Sequence, residues 1–535
     1  MSKFTWWKHG VIYQIYPRSF YDSNGDGVGD IPGIIHKLDY LSGLGIDAVW
    51  LSPVNTSPMH DFGYDIRDYR GIDPVFGTFR DFENFIHEAH KRNIRIIMDL
   101  ALNHTSYLHP WFIESASSRN NEKRDWYIWH DGKNGRPPNN WRSAFLGSAW
   151  EWHEATGEFY LHSFLREQPD VNWRNPELKK AMFGELRFWL DRGIDGFRLD
   201  VINWFIKDSR FRRNPFSLKP LTNQVEKYNR NRPETHAIVK EMRGLVNEYD
   251  DRMLVGEVFS YPPGDPQLSA SYLGNGEDEL HLSFDFSMMY RPWDARKFYH
   301  CIKHWYSHIP DKGWPCNVLS NHDQPRNYNR FNNNADSEKR ARVAAVMLLT
   351  LRGTPFMYYG EEIGMKNFRI PRAKLADPAG KKFWPIYTGR DCSRTPMQWS
   401  PETNAGFSKG RLWLPVDMDY KNKNVEIQSK DEYSLLNFYR KLINIRKKKK
   451  ALTHGTSRIA SKGMHGIFAY IREYKKETLC IALNFTRKSV SLNAGHKGQW
   501  KVVFSTHRSS REHFTHLHYK LYPFEATIIE KIGEL

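Results

Sequence analysis

The sequence predicts a (β/α)₈ barrel with a small domain inserted after its third strand and an all-β domain at its C-terminal end. Short β-branched or aromatic runs alternate with helix-period patterns over most of the chain, which marks βα units and a parallel sheet. The stretch from His104 to Pro169 breaks that rhythm, and from about Ala451 onward strand-like runs follow one another directly. At 535 residues the chain has room for a barrel of about 250 residues or more and two smaller units.

Eight strands are expected, at Val11–Ile15, Ala48–Leu51, Arg95–Leu100, Gly196–Asp200, Met253–Glu257, Leu282–Phe286, Asn317–Ser320 and Pro355–Tyr359. Between them lie helical patterns. Phe82, Phe85, Ile86 and Ala89 repeat at i, i+3, i+4 and i+7 behind Thr78 as a cap, and Leu178, Met182, Leu186 and Leu190 precede the fourth strand. His104 to Pro169 is rich in Trp, Asn, Gly and Pro and shows no sustained helical period. It is too long for an ordinary βα loop, so it reads as an inserted domain. The expected division is barrel 1–103, insert 104–169, barrel 170–450 and a C-terminal β-sandwich 451–535. Strands are expected in the last at Gly466–Ile471, Thr478–Leu483, Gln499–Phe504 and Glu525–Glu530.

Composition excludes several classes. With 40 % apolar and 15 % aromatic residues the chain can build a large core, unlike a disordered or collagen-like one. The longest apolar stretch, Val343 to Leu351, is far short of the ~20 residues of a membrane span. The first ten residues lack the apolar core of a signal peptide, so a soluble cytoplasmic protein is expected. Cys301, Cys316, Cys392 and Cys480 show neither zinc nor disulfide-framework spacing. The net charge of +17 raises nucleic acid or a membrane surface as partners. Yet the densest basic run, Arg446 to Lys450, ends the helical pattern of Leu435, Tyr439, Leu442 and Ile443, where cations suit the helix dipole. No nucleic-acid motif accompanies it, so neither partner is expected.

Polar residues at the C-terminal ends of barrel strands are the catalytic candidates. The third strand leads into Asp99-Leu-Ala-Leu-Asn103-His104 and the fourth ends Gly196-Phe-Arg198-Leu-Asp200. The fifth ends Gly256-Glu257-Val258, and the seventh runs into Asn321-His322-Asp323-Gln-Pro-Arg326. Two carboxylates about 5–5.5 Å apart are what a retaining glycosidase needs, one as nucleophile and one as acid/base. A third carboxylate can stabilise the positive charge that develops on the sugar. Arg198 shares a strand face with Asp200 and favours its ionised form, while an acid at Glu257 requires a raised pKa.

A separate loop, Asp22-Ser-Asn24-Gly-Asp26-Gly-Val28-Gly-Asp30, puts oxygen donors at every second position. That composition suits a hard cation such as Ca²⁺, although Gly33 stands where an EF-hand has its bidentate Glu.

Taken with Tyr13-Gln-Ile-Tyr-Pro-Arg-Ser-Phe20, Gly63-Tyr64-Asp65-Ile66, Gln168-Pro-Asp-Val-Asn-Trp173 and Arg394-Thr-Pro-Met-Gln-Trp399, these segments resemble the α-amylase superfamily, glycoside hydrolase family 13. Within it they resemble the exo-acting α-glucosidases and oligo-1,6-glucosidases. The resemblance implies Asp200 as nucleophile, Glu257 as general acid/base and Asp323 as transition-state stabiliser. It implies that Asp65 grips the distal hydroxyls of the terminal glucose with Arg390 (Arg394 is a poorer match), closing the pocket to all but exo attack. Tyr64 would stack on that sugar, His104 and His322 would hydrogen-bond it, and Phe164 and Gln168 would face it. It also implies structural Ca²⁺, or Mg²⁺, held by Asp22, Asn24, Asp26, the Val28 carbonyl and Asp30, with no organic cofactor. In the resembling enzymes a valine after the nucleophile, here Val201, goes with cleavage of α-1,6 bonds and a threonine with α-1,4 bonds. The expected partner is therefore a small oligosaccharide or disaccharide, and the expected assembly a monomer or weak homo-oligomer. A glucosyl-transferring or isomerising relative, of the sucrose isomerase or trehalose synthase type, stays open as the alternative.

Overall fold

In the computed structural model, residues 3–218, 222–260, 263–331, 334–507 and 513–533 are described. Eight parallel strands form the barrel: β1 (Ile12–Ile15), β2 (Ala48–Leu51), β3 (Arg95–Leu100), β4 (Gly196–Leu199), β5 (Met253–Gly256), β6 (Leu282–Ser283), β7 (Cys316–Val318) and β8 (Thr354–Tyr358). They pair in the order β6-β5-β4-β3-β2-β1-β8-β7. No ladder joins β6 to β7 among the described residues; the Cys316 thiol instead donates to the Ser283 carbonyl at 3.1 Å across that seam. Every residue of β1, β2, β4, β5, β7 and β8 is buried, as strands covered on both faces require. The expected sixth strand is regular only over Leu282–Ser283; Phe284 still donates its amide to the Gly256 carbonyl at 3.0 Å while its ring packs against Trp50 and Phe356.

The helices follow their periodicity. Phe79–Lys91 is closed by a reciprocal Thr78–Asp81 capping box and buries Phe82, Phe85, Ile86 and Ala89. Pro176–Leu190 is capped by Asn175 and buries Leu178, Met182, Leu186 and Leu190. The basic run proves to be a joint. Arg446, fully buried, donates to the Leu349 and Gly353 carbonyls at 2.8 and 2.9 Å, and Lys449 pairs with Glu530 at 2.5 Å. None of the helices among the described residues is long and apolar enough to cross a membrane.

After β3 the chain forms a three-stranded sheet, Trp129–His130, Glu158–Leu161 and Trp150–His153, around Trp141, Trp150, Phe159 and Leu161. A helix at Pro110–Ser117, with the His109 side chain capping the Trp111 amide, stands where no helical period was legible. The C-terminal region corrects the expected sandwich. Its six strands form one antiparallel sheet, with two more strands, Thr456–Lys462 and His513–Leu521, than expected. The cause is the long strand Val490–Ser505, whose register shifts let it pair with both His513–Leu521 and Ala526–Gly533 and so join what would be two sheets. One face packs Phe468, Tyr470, Ile481 and Ile528 toward the barrel; the other gathers Ile471, Cys480, Trp500 and Val502.

Candidate active site

Arg198 organises the catalytic end of the barrel. Register places it beside Asp99 on β3 and Val255 on β5, so its side chain rises among carboxylates from three strands. Its Nη1 donates to Asp99 Oδ1 and Asp200 Oδ1, both at 2.7 Å, and its Nη2 to Glu257. Asp99 is also bonded by Trp50 Nε1 and Tyr64 Oη, each at 3.0 Å. Burial pushes Asp99 up to about 7 despite the guanidinium beside it. His322 continues the network: Gln14 Nε2 lies 2.8 Å from its Nδ1, and Tyr64 Oη 2.7 Å from its Nε2. Because Tyr64 already donates to Asp99, the proton belongs on His322 Nε2 and Nδ1 accepts from Gln14. Burial drives the His322 pKa down to about 3, so the ring is neutral.

The carboxylates diverge in acidity. Burial raises Glu257 well above the ordinary range, and the negative charges of Asp200 and Asp323 add to this against the pull of Arg198. Burial would raise Asp323 too, but the guanidinium charges of Arg390 and Arg394 oppose it and hold that carboxyl below its usual range. Arg394 donates to Asp323 Oδ1 at 2.7 Å and to the His322 carbonyl at 2.8 Å. One group is thus kept as an acid and its neighbour as an anion, which matches the division of labour in glycoside cleavage.

Asp200, Glu257 and Asp323 line one cavity of about 220 Å³ with Tyr64, His104, Phe164, Val201 and Arg390. This is smaller than the roughly 300–1,000 Å³ of pockets for drug-sized ligands and suits a single sugar ring. Val201 has φ +38° and ψ +47°, a left-handed conformation that strains a β-branched residue by about 1–3 kcal/mol. It turns the chain directly after Asp200 and places residue 201 on the pocket wall.

Four expected residues stand elsewhere. Arg198 and His322 lie beneath the cavity as described. Gln168 is fully buried behind it, 3.3 Å from Asp61 Oδ2 and 3.1 Å from His104 Nε2, and so braces the wall without facing substrate. Asp65 is the main correction. Its carboxylate is fully buried and accepts from Ser57 Oγ, His60 N and Asp61 N at 2.9–3.0 Å. The acid that meets Arg390 is Asp61, whose Oδ1 lies 2.7 Å from Nη2. Left-handed residues Met59, Phe62 and Gly63 turn this segment so that Asp61 faces the cavity and Asp65 ties the turn from behind. Phe145, Phe259, Phe286, Tyr290 and Tyr387 also line the cavity; a search for polar strand ends missed them because they are aromatic and, Phe286 apart, lie outside the expected strands.

In the Asp22–Asp30 loop the oxygens satisfy the loop's own amides. Asp22 accepts from Asn24, Gly25 and Gly27, Asn24 from Asp26, Asp26 from Val28, and Asp30 from Ser23 and Gly33. Among the described residues no three His, Cys, Asp or Glu side chains gather as a metal-holding group.

Comparison with known proteins agrees with this geometry. Residues 14–455 match the α-amylase catalytic-domain family. The chain is 43 % identical over 516 residues to an oligo-1,6-glucosidase of Parageobacillus thermoglucosidasius, covering 91 % of each. An oligo-1,6-glucosidase of Halalkalibacterium halodurans is 40 % identical over 98 % of both chains. Among solved structures, an α-glucosyl transfer enzyme superposes with a TM-score of 0.93 at 36 % identity, covering 99 % of this chain and 100 % of that one. An isomaltulose synthase variant of Erwinia rhapontici in complex with sucrose superposes at 0.91 and 36 % identity, covering 98 and 99 %. With three carboxylates after the fourth, fifth and seventh barrel strands and these likenesses over nearly its full length, the chain belongs to the α-amylase family and is a glycoside hydrolase of the retaining type.

Proposed function

We propose that the enzyme is an exo-acting α-glucosidase that releases glucose from the non-reducing end of short α-glucosides. It favours α-1,6 linkages, as in isomaltose and isomalto-oligosaccharides, with α-1,4 disaccharides as secondary substrates. The observation that carries this reading is the Asp61–Arg390 ion pair, 2.7 Å long, on the wall of a cavity sized for one ring, where it would bar a longer chain from extending past the terminal sugar. Asp200 attacks the anomeric carbon while Glu257 gives its proton to the departing glycosidic oxygen. Asp323 stabilises the positive charge between bond breaking and bond making. The Glu257 carboxylate then takes a proton from water, which releases glucose from Asp200 with retention. The linkage preference draws on Val201, whose methyls leave the wall beside the nucleophile apolar. The oligo-1,6-glucosidase relatives support it.

Initial rates on isomaltose, maltose, sucrose, trehalose and p-nitrophenyl α-glucoside test the proposal. Isomaltose is expected to be cut well and maltose more slowly; maltose cleavage with isomaltose untouched would remove the linkage assignment. The runner-up, an isomerising enzyme, has support from the isomaltulose synthase likeness. It predicts an isomeric disaccharide from sucrose where the main reading predicts glucose and fructose. Phosphorylated disaccharides are disfavoured. Arg390 is the one Lys or Arg among the described pocket-lining residues, and Asp61 and Asp377 already pair with it.

For the Asp22–Asp30 loop we propose a structural Ca²⁺. The donors are all oxygen, Asn24 and Asp26 reach solvent, and none of the five lines the catalytic cavity. A ligand of the folded state stabilises it by mass action, so EDTA is expected to lower Tm more than room-temperature activity, with Ca²⁺ restoring it. An unchanged Tm, with no calcium by elemental analysis, would contradict the site.

A further inference from the structure

The segment leading to Arg390 contains a buried acid with no part in the chemistry above. Asp377 is fully buried and accepts three bonds from Arg390: from its backbone amide at 2.7 Å, Nε at 3.3 Å and Nη2 at 2.9 Å. Its own amide and that of Ala376 donate to the Asp391 carboxylate at 2.9 and 2.6 Å, which cinches the loop at both ends. Gly389, at φ +79°, passes so close that a Cβ there would lie 2.7 Å from Asp377 Oδ2. On the far side the guanidinium lies 5.7 Å from the Phe145 ring centroid. Of the guanidinium donors, Nε and Nη2 are thus spent on Asp377 and Asp61. Nη1 has a long 3.4 Å contact to Asp323 and keeps capacity toward the cavity.

We infer that Asp377 is a positioning residue for glycone recognition: it fixes the plane of the Arg390 fork so that Nη1 and the Asp61 carboxylate meet the distal hydroxyls of the terminal sugar together. This rests on the exo reading above. Without the Asp377 carboxylate, Arg390 would keep Asp61 and Asp323 as partners and could rotate toward either, so charge would stay in the site while its geometry relaxed.

The test compares wild type and Asp377→Asn on p-nitrophenyl α-glucoside and on its 4-deoxy and 6-deoxy analogues, with Tm as a control for folding. For the full glucoside the variant is expected to lose about ten- to a hundredfold in kcat/KM, mostly through KM, as removal of a charge-assisted bond implies. For the deoxy analogues, which lack a hydroxyl that Arg390 or Asp61 would hold, the loss is expected to shrink to a few-fold. Equal losses on all three substrates in a folded variant, or no loss at all, would overturn the inference. Should wild type itself fail to discriminate the deoxy analogues, the exo reading falls and takes this inference with it. If Asp377→Asn does not fold, Asp391→Asn, which loosens the Asp377 backbone, must show the same selective loss in weaker form, and its absence is decisive against the role.

Discussion

On one side of the cavity Arg390 bonds Asp61, Asp377 and Asp323, and Arg394 bonds Asp323, whereas the cavity-lining Phe259, Tyr290 and Tyr387 stand 41, 39 and 44 % exposed. The first region is a lattice of charges held by more than one bond each. It can present one donor and acceptor pattern, which suits one sugar in one orientation. The second offers aromatic faces, which contact ring faces and aglycones with little regard to hydroxyl pattern. Under the proposed α-glucosidase reading, the difference predicts strict choice of the glucosyl unit and loose choice of the leaving group.

The largest effect that would break this picture comes from the floor. Asp200→Ala is expected to cost on the order of 10⁴-fold or more in kcat on every substrate, as loss of a covalent nucleophile does. Near-native turnover of any glucoside would refute the assignment. Glu257→Gln should separate the two regions by leaving group. A loss of about 10²–10⁴-fold is expected on isomaltose, and a smaller loss of the glycosylation step on the p-nitrophenyl glucoside, whose departure needs little acid help. Wild-type pH profiles sharpen this. Glu257 must be protonated and its pKa is raised, so kcat/KM should persist above the ordinary carboxyl range and fall as pH climbs through the raised value. Asp323 is held low, so its protonation should not limit activity in mildly acidic solution. In Glu257→Gln the alkaline limb should vanish; its persistence would assign that limb to another group.

The smallest effect concerns the wall between the two regions. Val201→Thr trades a methyl for a hydroxyl at similar volume. One hydrogen bond gained near the leaving group shifts discrimination by about 0.5–1.5 kcal/mol, roughly three- to twelvefold, toward maltose over isomaltose. An unchanged ratio would show that residue 201 does not set linkage choice.

Much of the barrel and its floor was legible because the signals were local. Ala48–Leu51 and Arg95–Leu100 appear at their expected bounds, since buried parallel strands read as unbroken apolar runs. Asp200 and Glu257 directly follow β4 and β5, and Asp323 stands in the loop after β7. The failures arose where the chain turns. Asp61 and Asp65 are both acids four residues apart, and only the left-handed turn through Met59, Phe62 and Gly63 decides which one faces the cavity. Asp377 stands in a loop with no periodicity, and nothing local pairs it with a residue thirteen positions on. Thr456–Lys462 escaped notice as an edge strand of mostly polar and half-exposed residues, whose pairing comes from its neighbour. The sandwich failed for a similar reason, because the register shifts of Val490–Ser505 are a property of the folded sheet.

The central claim, a blind pocket that acts by double displacement on the terminal glucose, is tested most directly by following digestion of isomaltotriose labelled at its reducing end, by proton NMR from the first turnover. The account predicts that unlabelled glucose appears first as the α-anomer, with labelled isomaltose as its co-product. Early release of the β-anomer, or labelled glucose appearing before labelled isomaltose, would contradict it.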